Sequence, residues 1–256
     1  GFVPVIAAQR GAADRPSRYR QGSLALRAVA PVTGAIELQA NLSAFTDRRE
    51  RGTAFSAIAT EGADASLRLV GRGPLPFSAL VYVQTPAFTN LFAAGNDDRS
   101  AVNLVLDQHS VPSTGLGARL EIRPLTGRAE LRLGTDWRET AGRTEELFFF
   151  VSGSPTRGRT AGGRTRTLGA FVELGLGRGP FTLAAGARLD RWDIESGFLR
   201  ERLLADGSPL TETVFPGRSG WEPTARAGAA WGPSPRLCLR AAAHRGWGVA
   251  RLNRLY

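Results

Sequence analysis

The sequence predicts an all-β chain of long antiparallel strands, and three observations support this fold class. Polar and apolar residues alternate over long stretches, most clearly from Ala129 to Arg138. Tight turns that contain Pro and Gly recur along the chain and join two such stretches directly. No window approaches the roughly 18 consecutive apolar residues that indicate a transmembrane helix.

The alternation gives each strand two unlike sides. On one strand the apolar parity holds Ala129, Leu131, Leu133, Thr135 and Trp137, and the other parity holds Arg128, Glu130, Arg132, Gly134, Asp136 and Arg138. The same pattern recurs over 35–47, 117–123, 167–177 and 236–245. A soluble sandwich would turn the apolar side to a core and the charged side to water. A transmembrane barrel would turn the apolar side to lipid and the charged side to a wet lumen.

The spacing of the turns distinguishes these two folds. The tight turns are "PVTG" (31–34), "GRGPLP" (71–76), "PLTG" (124–127), "GRGP" (177–180) and "GPSP" (232–235). Long polar segments alternate with them, around 46–56, 87–114, 140–163 and 193–219. Connections longer than about 12–15 residues are uncommon in compact soluble domains. We therefore predict part of an antiparallel outer-membrane β-barrel of about eleven strands, with short periplasmic turns and long extracellular loops.

Composition and motifs give no sign of catalysis. The net charge is +10, but all 33 basic residues are scattered arginines, so we do not expect nucleic-acid binding. Cys238 is the only cysteine and His109 and His244 are the only histidines, so no metal, cofactor or catalytic site is predicted. His244 falls on the charged parity of the last strand. It therefore keeps open an alternative, a barrel hydrolase with a histidine at the rim.

Two groups of residues are candidates for function. The first group shares the charged parity of two strands and is expected to face the lumen: Arg119, Glu121, Glu130, Arg132, Asp136 and Arg138. Opposite charges on paired strands can form a solvated, ion-paired wall, and the same surface can hold a plug inside a wide barrel. The second group is Phe88 and Phe92, which we expect in a long loop, where an aromatic ring could contact a ligand. The leucines of the opposite parity are expected to face lipid: Leu131, Leu133, Leu174, Leu176, Leu237 and Leu239.

The C-terminal stretch resembles a segment of the TonB-dependent receptors of Gram-negative outer membranes. In "RLCLRAAAHRGWGVARLNRLY" (236–256), the residues that match the family segment are Leu252, Asn253, Leu255 and Tyr256. Those that depart from it are Ala250, Arg251 and Arg254. The stretches 37–53, 107–117 and 185–192 are also similar to barrel segments of this family.

The resemblance implies an outer-membrane barrel of roughly 22 strands filled by a plug. It also implies uptake of a small-molecule ligand, such as an iron–siderophore complex, cobalamin, haem or a carbohydrate, with energy from the TonB complex acting through the plug. We expect residues 1–256 to be part of this barrel, without the plug and the final strands, and in contact with outer-membrane lipid. The chain alone is then expected neither to transport nor to fold stably in a membrane. A barrel hydrolase and a passive pore are the alternatives.

Overall fold

The computed structural model describes residues 1–127 and 129–248, and a 3₁₀ turn at Ala7–Gln9 precedes a series of β-strands. In chain order these are β1 (Tyr19–Pro31), β2 (Ile36–Glu50), β3 (Ala57–Gly71), β4 (Phe77–Gln84), β5 (Ala87–Gly95), β6 (Val102–Ile122), β7 (Leu125–Thr126), β8 (Ala129–Val151), β9 (Ser154–Arg178), β10 (Phe181–Leu203), β11 (Pro209–Phe215), β12 (Arg218–Ser234) and β13 (Leu237–Arg245). Within the described part of the chain, no helix is long and apolar enough to cross a membrane.

The thirteen strands of the described residues form one antiparallel sheet in which strands close in sequence are neighbours in space. Ten of them lie side by side in the order β1-β2-β3-β4-β6-β8-β9-β10-β12-β13. The other three share positions: β5 continues the line of β4, β11 precedes β12 against β10, and the short β7 pairs with β8. This up-and-down meander confirms the predicted all-β antiparallel architecture. The expected count of about eleven strands lies between the ten positions and the thirteen segments.

The long polar segments are built mainly as extensions of the strands. Strands β8, β9 and β10 contain 23, 25 and 23 residues, whereas a transmembrane strand needs only about 9–11. The turn between β8 and β9 is the pair Ser152–Gly153, with φ of 51° and 81°, which is the left-handed geometry of a tight hairpin. The regions expected as long loops are therefore largely β-ribbons that project beyond the barrel wall.

Bulges and prolines separate the wall from these ribbons. The register of β10 shifts between Glu195 and Phe198, where Ser196 takes a left-handed φ of 56°. Pro86 lies between β4 and β5, and Pro216 lies between β11 and β12. Proline cannot donate a backbone hydrogen bond, and a bulge bends its strand, so the ribbons can leave the line of the wall at these points.

One face of the sheet is apolar and uncovered. The pairs Leu131–Leu174 and Leu133–Val172 lie on it in direct register, and its leucines are strongly exposed, 57% at Leu26 and 53% at Leu239. Among the described residues, only Ala13 and Ala161 are buried apolar residues. A water-soluble sheet would cover such a face with a second layer. An uncovered apolar face on long strands is the arrangement of a barrel that faces lipid.

Aromatic residues mark both edges of the apolar face. One register row across four strands marks the edge nearer the ribbons: Trp137, Leu168, Arg191 and Trp221. Beyond this row the same face becomes charged, starting with the paired residues Glu139 and Arg166. At the opposite edge Phe181 stacks on Trp231 with ring centroids 6.1 Å apart. Aromatic girdles of this kind lie at the two membrane–water interfaces of outer-membrane barrels.

The position of these edges predicts a depth-dependent cost for a charge on the apolar face. Leu133→Arg, midway between the two edges, should lower the free energy of unfolding of the complete receptor by about 2–4 kcal/mol. Leu239→Arg, which pairs with Trp231 at the lower edge, should cost only about 0–1 kcal/mol. Reversible urea unfolding in liposomes measures both values. Equal costs for the two substitutions would contradict the assigned membrane position.

Candidate functional site: the charged face

The residues predicted to face the lumen share the face opposite the apolar one. Arg119 on β6 lies directly across from Asp136 on β8, and Arg132 on β8 lies across from Glu173 on β9. This charged face surrounds a concavity of about 790 Å³, lined among others by Arg119, Glu130 and Arg132. The alternation in the sequence thus places the predicted residues together on one continuous surface.

Glu121 is the centre of the first group of ion pairs, which we call the Glu121 cluster (Arg119, Glu121, Arg123, Arg132, Glu173 and Arg226). The Glu121 carboxylate is nearly buried, at 5% exposure. It accepts hydrogen bonds from Arg119 Nη2 at 3.0 Å, from Arg123 Nε at 2.7 Å and from Arg132 Nη2 at 3.0 and 3.1 Å. Three guanidinium groups therefore share one carboxylate.

The Glu121 cluster continues across the next strands through Glu173. Arg132 Nη1 donates to Glu173 Oε2 at 3.1 Å, and Arg226 Nη2 lies 2.6 Å from Glu173 Oε1. Arg226 belongs to β12, so its side chain passes over β10 at Gly186, where a Cβ atom would be 3.3 Å from Arg226 Nε. Positive and negative groups thus alternate across the charged face, and the cluster connects β6, β8, β9 and β12.

A second group, the Arg188 cluster, consists of Asp136, Arg188, Asp190 and Trp247. Arg188 donates to Asp136 at 2.6 and 3.0 Å and to Asp190 at 2.8 and 2.9 Å. Trp247 Nε1 donates to Asp190 Oδ2 at 3.1 Å. The carboxylates of Asp136 and Asp190 are 5% and 4% exposed, so this guanidinium neutralises two nearly buried acids.

Glycine makes room for these long side chains on the charged face. Arg188 crosses β9 at Gly169, where a Cβ atom would lie 2.0 Å from Arg188 Nη2. The Phe171 ring covers Gly134 in the same way, with a would-be Cβ contact of 2.4 Å, and the Arg119 guanidinium stacks over that ring at 5.0 Å. Since any side chain at these glycines would collide with the covering group, the layer of flat-lying side chains depends on them.

Four of the six residues predicted to face the lumen belong to the two ion-pair clusters, and two do not. Arg119, Glu121 and Arg132 belong to the Glu121 cluster, and Asp136 belongs to the Arg188 cluster. Arg138 Nε lies 4.0 Å from Asp136 Oδ1, and Glu130 is exposed on the wall of the concavity. The candidates chosen from the sequence did not include four further members of these clusters: Glu173, Arg188, Asp190 and Arg226. Applying the same parity rule to β9, β10 and β12 would have found these residues, but not their partners.

Phe88 and Phe92 lie in strand β5 rather than in an irregular loop. Between them, Asn90 is buried; it accepts a hydrogen bond from Arg51 Nη2 at 2.6 Å and donates to Gln108 Oε1 at 3.3 Å. The Arg51 guanidinium lies 5.3 Å from the centroid of the Phe92 ring. Strand pairing and a polar network therefore hold these rings in place, and their contact with a ligand stays a prediction.

His244 lies on the charged face, across from Arg226. Within residues 1–127 and 129–248, no side chain forms a hydrogen bond with its imidazole, and no group of three or more His, Cys, Asp or Glu residues could hold a metal ion. The resemblance residues Leu252, Asn253, Leu255 and Tyr256, and the altered Ala250, Arg251 and Arg254, lie outside the described residues.

A sheet with one lipid-type face, aromatic edges and an ion-paired opposite face defines a membrane β-barrel wall of the outer-membrane type. A model of the TonB dependent receptor-like β-barrel family matches residues 10–256. The chain therefore belongs to the TonB-dependent receptor barrel family, whose members are outer-membrane receptors and transporters rather than enzymes.

Solved structures share this fold at low sequence identity. The ferric-catecholate import receptor Fiu of E. coli K12 superposes with a TM-score of 0.68 at 14% identity, over 88% of this chain and 46% of that one. The ferric yersiniabactin uptake receptor FyuA of Yersinia pestis gives 0.62 at 15%, over 86% and 36%. The copper transporter OprC gives 0.66 at 16%, over 90% and 37%. The chain thus spans less than half the length of these structures. No curated protein matches this sequence.

The Glu121 cluster predicts a specific stability effect. Glu121→Gln should lower the free energy of unfolding by about 1–3 kcal/mol, because it leaves three arginines around a neutral amide. The exposed Glu130→Gln on the same wall is the matched control and should change stability by less than about 0.5 kcal/mol. Urea unfolding of the complete receptor in liposomes compares the two. If Glu121→Gln is as stable as the control, the cluster does not hold the wall together.

Proposed function

We propose that this chain forms part of the barrel wall of an outer-membrane receptor that takes up a small ligand with energy from the TonB complex. The observation that carries the proposal is the pair of unlike faces, continuous across the sheet of a chain that belongs to this family. The apolar face fits outer-membrane lipid, and the charged face fits a wet interior.

The charged face is proposed to line the lumen around a plug supplied by another part of the same receptor. Arg119, Glu121, Arg132 and Asp136 are neutralised by neighbours within the wall itself. Because the buried acids find their partners within the wall, the surface stays polar without requiring an opposite charge from the plug for each acid. Such a surface suits a plug that sits in the lumen.

Both edges of the sheet support further strands in the same receptor. In the described residues, β1 pairs only with β2, and β13 pairs only with β12. Every unpaired backbone group in hydrocarbon costs several kcal/mol, so an open edge is not stable there. We expect additional strands of the receptor, beyond those described, to pair with β1 and β13 and close the barrel.

The ligand is proposed to be a chelated metal ion. Three of the structural relatives are named for ferric-catecholate import, ferric yersiniabactin uptake and copper transport. Cobalamin, haem and carbohydrates are the other ligands to test. Phe88 and Phe92 are the proposed contacts on this chain, since β5 lies in the ribbon region and Arg51 adds a cation beside Phe92.

Uptake by intact cells tests this proposal. Receptor-deficient Gram-negative cells that express the complete receptor are offered radiolabelled ferric siderophores, copper, cobalamin, haem or carbohydrates, with and without a functional TonB complex. We expect one ligand to accumulate only when TonB is active. A Phe88→Ala/Phe92→Ala receptor should bind that ligand at least about tenfold more weakly, while Phe149→Ala, in the β8–β9 ribbon, serves as the aromatic control.

Other outcomes would identify an alternative function. Equal entry of small solutes with and without TonB would indicate a passive pore. Hydrolysis of a lipid or ester substrate that is lost in His244→Ala would indicate a barrel hydrolase. Either result, in a receptor found in the outer-membrane fraction, contradicts energy-coupled uptake while leaving the barrel fold intact.

A further inference from the structure

Three segments beyond the end of the barrel wall are joined to one another. Residues 10–18, which precede β1, lie against the β2–β3 connection (51–56) and the β5–β6 connection (96–101). The backbone N–H of Ala13 donates to Arg99 O at 2.9 Å, and that of Arg15 donates to Gly52 O at 2.8 Å. Asp14 and Thr53 also form an isolated β-bridge. All three segments lie at the end of the sheet opposite the short Pro/Gly turns.

An ion pair between Asp14 and Arg99 connects residues 10–18 with the β5–β6 connection. The Asp14 carboxylate is 2% exposed, and it accepts hydrogen bonds from Arg99 Nε at 2.8 and 3.1 Å and from Arg99 Nη2. The Gly11 N–H donates to Asp14 Oδ2 at 2.9 Å. These hydrogen bonds, that of Arg99 foremost, lower the pKa of Asp14 to about 2, so the pair is fully charged at neutral pH.

The backbone of Arg99 also takes part in this contact, in an unusual conformation. Its φ is 58°, in the left-handed region that non-glycine residues rarely adopt. In this conformation the Arg99 carbonyl accepts the Ala13 N–H while its side chain reaches Asp14. Such a conformation persists only where surrounding contacts hold it. Here those contacts come from residues 10–18 and from the Arg99 N–H, which donates to Asn96 O at 3.1 Å within its own connection.

Little else holds the three segments together. Among their described residues, Ala13 is the only buried apolar side chain. A cavity of about 510 Å³ lies between the segments, lined in part by Ala12, Thr53, Phe55, Ser100 and Val102. With so little buried apolar area, their association depends on the ion pair and on the few backbone hydrogen bonds that it positions.

We propose that the Asp14–Arg99 pair is a clasp that makes residues 10–18, 51–56 and 96–101 one cooperative unit, which opens and closes as a whole over the cavity between them. When the clasp is formed, the three segments protect one another's backbone amides and limit access to the cavity. When it is broken, all three segments are released together. This inference does not depend on the proposed transport, since it concerns only the coupling among segments outside the membrane.

Hydrogen exchange on the complete folded receptor in detergent, read by mass spectrometry, tests the clasp. In Arg99→Ala, exchange should rise about tenfold or more in all three segments, because a hydrogen bond to a charged group is lost where it joins them. Asp14→Asn, which leaves the side-chain shape almost unchanged, should give the same pattern. Peptides from β2 and β3 should exchange as in the unmodified receptor, which shows that the barrel is folded.

Asp98→Ala is the matched control, because Asp98 lies beside Arg99 but, among the described residues, its carboxylate accepts hydrogen bonds only within its own connection, from the N–H and Oγ of Ser100. It should raise exchange in residues 96–101 and leave 10–18 and 51–56 unchanged. The proposal is overturned if Arg99→Ala and Asp14→Asn behave like this control, with faster exchange confined to the segment that carries the substitution. The result does not depend on whether any ligand is transported.

Discussion

The structure depends on one constraint: every backbone N–H and C=O group that enters hydrocarbon must be paired with another strand. A continuous antiparallel sheet meets this requirement, and long runs of unbroken register such as that between β8 and β9 show how it is met here. The alternation of side chains follows from the same geometry, because a pleated strand sends successive residues to opposite faces. With lipid on one face and water on the other, no dry core is required, which explains why the described residues bury so few apolar side chains.

The charged face meets a different requirement. Acids that are nearly buried must have partners, and here those partners are arginines on the same strand, on an adjacent strand or, for Asp136, on the strand after next. Arg188 and Arg226 can reach across an intervening strand because Gly169 and Gly186 leave the intervening backbone uncovered. The wall is thus stabilised by ion pairs that cross strands, in addition to the backbone hydrogen bonds between adjacent strands. Lysine could not replace these arginines equally well, since a guanidinium can donate to two carboxylates at fixed angles.

Beyond the membrane the constraint is relaxed, and the structure changes accordingly. Bulges and prolines interrupt the register near Ser196, Pro86 and Pro216, and the outer face of the ribbons becomes charged from Glu139 onward. In water the connections can use polar contacts between distant segments, as Asp14 and Arg99 do. The three segments that this pair joins are therefore held by a small number of specific bonds, in contrast to the many equivalent hydrogen bonds of the wall.

The sequence alone determined the two faces, the antiparallel meander and the membership of Arg119, Glu121, Glu130, Arg132, Asp136 and Arg138 in one surface. These features are local, because parity and turn residues are properties of neighbouring positions. Only the tertiary structure decided which charges meet. Strand register brings Arg188 to Asp136, which is 52 positions away in the sequence. Folding beyond the wall brings Arg99 to Asp14, which is 85 positions away. The structure likewise decided that Phe88 and Phe92 lie in a paired strand, since a polar segment of their length can form either a loop or a ribbon. That choice depends on the partner strands β3 and β6, which a local pattern does not specify.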